Sequence, residues 1–410
     1  MGRKMKVKSI PERNLAIFVG GQSASALGDA VHRLALSLYM LDLTGSALQV
    51  GLVLVTTALP ALLLGPFVGR LFDRARAPQG ILFLSDLARA GAVLLIPLSG
   101  NAYAIYSLSL VANSLGFVTK VGVNTLIPAA FPEERLMFVN SATRVGTRAM
   151  HVLGPMLSGL LYSALGPLAP FALDAATFLL AALSYLGIAL KEQPREKERK
   201  PETKTDQRSA LGEIFKNRVV GLIFLFMAAA AVTSGAFNVL LVVLVRSELG
   251  LSAAEYGYVL SVGAMGLLLG ALGTLRMSRG GSGSTLTRIL AAAIVADGLA
   301  IAWLGLAQGF WSVAFLMFVV GTSSSVATVV STTGLQLHVP DGFRGRVFSL
   351  YEQVFTLLSV VSMLLGGALA DELGVRPIYL VGGALQAAIT GATALLARFG
   401  GKDAQCQERD

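Results

Sequence analysis

Gln22, Ser25, Asp29, His32 and Arg33 recur at spacings of three and four, which places an amide, a hydroxyl, a carboxylate, an imidazole and a guanidinium on one face of a helix. Such a set can take up and release a proton. Asp29 is the candidate carrier, with His32 and Arg33 adjusting how firmly the proton is held; the alternative is an Asp29–Arg33 ion pair that only neutralises itself. A second stripe joins Asn140, Arg144, Arg148, His151 and Ser158. Its two arginines are expected to be buried and so to need anions, and Asp29, Asp174, Glu352 or an anionic substrate are the available ones. A third stripe holds Glu352, Thr356 and Ser359, and Glu352 is a further candidate for proton coupling. Gln22, Ser25, Arg144, Arg148, His151, Asn238, Thr328 and Thr356 are the candidates for lining a substrate cavity.

Other chemistries are excluded by what is missing. There is no Gly-x4-Gly-Lys-Ser/Thr loop, no His-Glu-x2-His and no Gly-x-Ser-x-Gly, so neither nucleotide hydrolysis nor nucleophilic or zinc catalysis is expected. The single cysteine, Cys406, excludes an internal disulfide and a cysteine-based metal site, and His32, His151 and His338 are too scattered for a local ligand motif. The chain is expected to be no enzyme and to need no metal or cofactor.

The elements that carry these residues are apolar. Hydrophobic residues make up 54% of the 410 and charged residues 14%, which does not suit a water-facing surface and indicates a polytopic membrane protein. The formal charge of +9 is explained by its distribution and gives no reason to expect nucleic acid. Spans are expected at 14–41, 47–71, 80–98, 102–126, 140–165, 168–190, 219–245, 254–277, 285–306, 309–335, 345–372 and 376–397. Each is near or above the about 20 residues needed to cross about 30 Å of hydrocarbon. The basic N-terminus and the short apolar run Leu15–Gly21 resemble a signal peptide, but the pattern continues to Leu41 and reads as the first spanning helix. On that helix Asp29 lies about 21 Å along the rise, a little beyond mid-membrane.

Lys and Arg near the helix ends set the orientation. The N-terminus, the C-terminus and every second loop hold 26 of them, while the opposite loops hold Arg246 and Arg376, so both termini are expected to be cytoplasmic. Residues 191–218 are too polar for a core and read as a linker between bundles at 1–190 and 219–398, with a polar tail at 399–410. The bundles are weakly self-similar: Gly65 and Gly69 recur as Gly266 and Gly270, and Ser158-Gly159 with Gly166 recurs as Gly366-Gly367 with Gly374. Asp86 and Arg89 are expected to form a structural ion network close to the loop at Asp73. Lys120 is expected to extend to the interface, and Asp297 to serve a helix contact.

Gly69-x-Leu71-x-Asp73-Arg74, with Gly65 one turn earlier, resembles the cytoplasmic loop between the second and third helices of major facilitator superfamily transporters. Gly65 and Gly69 share a face on which a neighbouring helix could pack closely. The usual basic tail of that loop is shortened here to Ala75-Arg76-Ala77-Pro78, and Thr274 stands in the second copy where Asp73 stands in the first. The resemblance implies an all-α fold of twelve transmembrane helices in two pseudo-symmetric halves. It also implies a conformational latch of Gly65, Gly69, Asp73, Arg74, Asp86, Arg89 and Arg344.

Gly154-Pro155-Met156-Leu157-Ser158-Gly159 resembles the core of the antiporter motif found in exporting members, through Gly154, Pro155, Ser158 and Gly159. Gly28-Asp29, Phe171-Ala172-Leu173-Asp174 and the stretch from His338 to Val347 are similar to the drug and siderophore exporter branch that includes macrolide-efflux proteins and the enterobactin exporter. The expectation is a monomeric secondary transporter in a bacterial inner membrane, surrounded by lipid, that exports amphipathic small molecules by proton antiport and alternating access. The rivals are a lipid or lysophospholipid flippase of the same fold and a membrane receptor or scaffold.

Overall fold

The computed structural model describes residues 12–74, 78–188, 217–277 and 283–407. The expected linker at 191–218 therefore lies almost entirely outside the described residues, as do the side chains of Asp73 and Arg74. Among the described residues every regular element is a helix. We number them α1 (Glu12–Thr44), α2 (Ala47–Arg74), α3 (Pro78–Ser99), α4 (Ala102–Ala130), α5 (Glu133–Leu165) and α6 (Leu168–Leu186), then α7 (Arg218–Val243), α8 (Ala253–Met277), α9 (Gly283–Leu304), α10 (Phe310–His338), α11 (Asp341–Leu373) and α12 (Val375–Gln407). A π turn, Leu244–Glu248, continues α7.

Ten of the twelve are long and apolar enough to cross a membrane. The other two, α1 and α5, are 33 residues each and fall short because they carry the polar stripes read from the sequence. Helix ends follow local chemistry. Asn101 accepts a hydrogen bond from the Tyr103 amide at the start of α4, and Asn217 does the same for Val219 at the start of α7. The self-similar glycines Gly166 and Gly374 both close their helices, α5 and α11, at a φ of 79° that a side chain would strain. The last helix runs to Gln407, through much of the expected polar tail.

By contacts the chain forms two compact units, one of residues 1–36 and 59–199 and one of 37–58 and 200–410. The core of the first gathers Phe18, Phe72, Leu82, Leu126, Phe131 and Tyr185, with the Phe18 and Phe131 rings edge to face at 5.6 Å. Within it α1 and α5 approach closely at small residues: a Cβ on Gly146 would overlap Ser23, one on Gly154 would overlap Ala30, and Ser158 donates a hydrogen bond to the Val31 carbonyl at 2.7 Å.

In the second unit several helices also meet backbone to backbone at glycines. Gly266 and Gly270 of α8 lie against the carbonyls of Phe318 and Thr322 in α10, and Gly321 of α10 lies against Gly263. Gly298 and Gly383 join α9 to α12, and Gly235 of α7 touches the Ser359 carbonyl of α11. The hairpin Ser37–Ala58 also belongs to this unit. There Asp371 accepts from the amides of Ala47 and Leu48, at 2.7 and 3.3 Å, and from the Ser46 hydroxyl, which caps the start of α2 with a carboxylate. Arg246 of the π turn sits 3.5 Å from Asp42.

The close packing expected at Gly65 and Gly69 is not found. Among the described residues a Cβ on either would meet nothing within 4 Å, whereas their second copies at Gly266 and Gly270 are closed against α10.

Candidate functional site

Two acids of the first unit meet at Arg89 of α3. Its guanidinium donates to Asp29 Oδ1 of α1 at 2.7 Å, lies 3.5 Å from Asp86 Oδ1 and stands 3.9 Å above the Phe178 ring of α6. Gly116 of α4 makes this possible, since a Cβ there would lie 2.9 Å from the guanidinium carbon. Asp86 is fully buried and accepts from the Thr119 hydroxyl at 2.8 Å and the Tyr185 hydroxyl at 3.2 Å. The Tyr185 oxygen in turn accepts from Gln22 Nε2 at 3.0 Å, so the amide of the α1 stripe is tied to the same network.

A second pair stands beside it. His32 Nδ1 lies 3.1 Å from Asp174 Oδ2, and the imidazole meets the Phe171 ring edge to face. Asp174 is fully enclosed, and Gly28 leaves the room it needs, because a Cβ there would overlap Asp174 and Thr177. Three carboxylates, one guanidinium and one imidazole are thereby gathered from three helices. The Asp29 side chain is 40% exposed and that of Arg89 is 9% exposed, so Asp29 is the member of the pair that meets the surroundings. Buried charges survive only when paired, and here the pairing is shared among several acids.

This geometry changes two of the expected pairings and keeps two others. Asp29 is bonded to Arg89, not to Arg33, because α3 brings a guanidinium closer than the next turn of α1 does; Arg33 is exposed. Asp86 and Arg89 are paired with each other as expected and also join Asp29; the side chains of the loop at Asp73 lie outside the described residues. Arg144 and Arg148 are exposed and have no acid within ion-pair distance among the described residues; the buried arginine is Arg89. Asp297 makes the helix contact expected of it: it is buried and accepts from Ser324 of α10 at 2.8 Å and from Gln386 of α12 at 3.0 Å, and Gln386 also engages Thr233 of α7. Thr119, Tyr185, Gly116 and Phe178 were not singled out from the sequence, where each is a commonplace residue of an apolar helix.

The remaining candidates are placed as follows. Ser25 is buried and His151 half-buried, near Asp29, Arg33 and Arg148. Pro155 lies inside α5, so the His151 carbonyl lacks its usual helical donor. In the second unit Asn238 and Thr328 are exposed and bonded to carbonyls of their own helices, Glu352 is exposed, and Thr356 is half-buried. Arg344 donates to the Val339 carbonyl at 3.1 Å, at the end of α10. Groups of acid, His or Cys residues that could hold a metal are absent among the described residues.

The family model for the Major Facilitator Superfamily matches residues 18–359, which spans α1 to α11 and both units. The chain belongs to this superfamily. As a superfamily member it is similar to macrolide efflux protein A of Streptococcus pyogenes, at 23% identity over 389 residues covering 89% of this chain and 91% of that one. It is also similar to multidrug resistance protein MdtG of Enterobacter lignolyticus, at 27% identity over 349 residues covering 83% and 81%. Among solved structures, the nucleoside transporter NupG shares the fold, with a TM-score of 0.73 at 13% identity over 92% of this chain and 98% of that one. The chain is thus a multi-pass membrane transporter of this superfamily, with efflux proteins among its relatives.

Proposed function

We propose that this transporter exports amphipathic small molecules from a bacterial cytoplasm or inner leaflet in exchange for protons, by alternating access, and that Asp29 carries the proton. The observation behind the reading is the shared ion pair on Arg89. Asp29 and Asp86 both face one guanidinium, and Asp29 alone of the two is open to its surroundings. Protonating Asp29 releases its hold on Arg89, and Asp86 can then take the full charge-assisted contact. A proton arriving at Asp29 therefore changes which helix, α1 or α3, holds the guanidinium. That is the kind of bistable contact a proton-driven cycle needs.

Export as the direction is supported by the named efflux relatives and by Gly154, Pro155, Ser158 and Gly159 in α5. The charge asymmetry of the loops supports a cytoplasmic location for both termini, and a reporter inserted between residues 191 and 218 should report the same side as one placed after Arg398.

The deciding experiment is Asp29→Asn in proteoliposomes with an imposed pH gradient. The amide matches the protonated acid in size and charge, so uphill, pH-driven efflux should be abolished while substrate binding and downhill exchange persist. Wild-type pH-driven flux would sink the assignment and move attention to Glu352.

A further inference from the structure

The helix α5 has three distinct faces. Gly146, Gly154 and Ser158 pack against α1. Val145, Leu153, Met156 and Leu160 form an exposed apolar strip suited to lipid. Arg144 and Arg148 lie on a third strip together with His151, centred about 130° from the apolar one at about 100° per residue, with Arg148 and Val145 at the facing edges. The two arginines are one helical turn apart, with Cβ atoms about 6 Å from each other, and neither has an acid within ion-pair distance among the described residues. Asp29, whose charge reaches His151, is already bonded to Arg89 at 2.7 Å. Guanidinium groups are not left against acyl chains, so an exposed strip of them in a membrane protein faces water and whatever the water carries.

We propose that Arg144 and Arg148 form an anion-recognition strip on α5, and that the amphipath this transporter carries bears a carboxylate or phosphate head. Two guanidinium forks one turn apart can each offer paired N–H donors to an oxyanion, and that geometry is matched poorly by a cationic or neutral head. Macrolide-like cations would be repelled from this strip by the same charges. The inference rests on the export reading only in taking the strip to face the carried molecule. The head group could belong to a free amphipath or to an anionic lipid, and the chemistry at the strip is the same for both.

The test measures equilibrium binding, with no pH gradient, to the full-length protein in phosphatidylcholine nanodiscs. Three fluorescent dodecyl probes that differ only in the head are compared: phosphate, carboxylate and trimethylammonium. The phosphate and carboxylate probes should bind at least about tenfold more tightly than the cationic one, and the preference should fall at about 1 M salt, where screening acts over about 3 Å. Arg144→Gln with Arg148→Gln should erase the preference, and Arg144→Lys with Arg148→Lys should keep much of it. Equal affinity for all three heads, tighter binding of the cation, or a preference that survives the double glutamine variant would each overturn the proposal.

Replacing half of the nanodisc lipid with phosphatidylglycerol assigns the source. Displacement of the anionic probe points to a lipid head group, and undisturbed binding points to a free amphipath. Proton-driven efflux is measured separately, so a charge preference without efflux sinks the export reading alone, and efflux without a charge preference sinks this inference alone.

Discussion

In the first unit Gly65 and Gly69 look onto open space, and a few helices away Arg89 is divided between two carboxylates. In the second unit the corresponding Gly266 and Gly270 lie against α10, and the buried acid of α9, Asp297, is met by a hydroxyl and an amide. The difference is one of exchangeability. A guanidinium among several acids has more than one satisfactory arrangement, and moving between them leaves no group unpaired. Backbone packed on backbone at Gly235, Gly266, Gly298 and Gly321 has one arrangement, and sliding it apart forfeits every contact along the seam. We therefore take the first unit as the side where the chemistry changes and the second as the firmer frame.

The sharpest way to break this contrast is Arg89→Met. Removing the shared cation strands Asp86 and Asp29, and loss of a buried partner of this kind costs about 3–5 kcal/mol. Folded yield and thermal unfolding in detergent should fall severely, while Arg144→Gln on the exposed strip of the same unit should stay within about 0.5 kcal/mol of wild type. Similar stability for the two variants would mean that the Arg89 network is dispensable.

Next in size are the glycines. Gly235→Ala and Gly321→Ala insert a methyl group into backbone contacts and should each cost about 1–3 kcal/mol, seen as a lower unfolding temperature. Gly65→Ala and Gly69→Ala should be neutral or stabilising by up to about 1 kcal/mol, since a helical alanine there meets open space. Destabilisation at Gly65 comparable to that at Gly235 would remove the distinction between an open and a closed seam.

Asp297→Asn sharpens the comparison from the other side. Its partners are neutral, so the amide can keep its oxygen toward Gln386 and donate its N–H to the Ser324 hydroxyl, which can accept as well as donate, and the change should stay within about 1 kcal/mol. A loss as large as that of Arg89→Met would place an ionic role in the second unit after all. The smallest effect is expected from Asp371→Asn at the exposed start of α2, which keeps the acceptor for the Ala47 amide, gives up the weaker one for Leu48 and loses the charge facing the helix dipole, a difference of about 0.5–1 kcal/mol. Thermal unfolding at low and high salt should show the gap between mutant and wild type narrowing as salt rises.

Much of the fold could be read from the sequence, because spanning length and apolarity are local. The expected spans 102–126 and 309–335 correspond to α4, Ala102–Ala130, and α10, Phe310–His338, with differences of a few residues at the ends. The polar stripes of α1 and α5 were legible for the same reason. What could not be read was which helix face meets which. Spacing of three and four reports neighbours on one helix, so Arg33 was the natural partner for Asp29; the actual partner is 60 residues away on α3. The rotation of α5 about its axis decides whether Arg144 is enclosed or exposed, and the methionines, glycines and serines around it do not declare that rotation. Gly116 carries no chemistry of its own, and its use appears once the Arg89 guanidinium is seen lying where a methyl group would be.

The docking of Ser37–Ala58 among residues that otherwise begin at 200 has a consequence for dividing the gene. If the chain is cut within 191–218 and the two pieces are expressed together, the N-terminal piece still carries the hairpin whose capping carboxylate, Asp371, and ion-pair partner, Arg246, sit on the other piece. The hairpin and the second piece would be complementary parts of one compact unit, split between two polypeptides, and the pieces should co-purify without a covalent link.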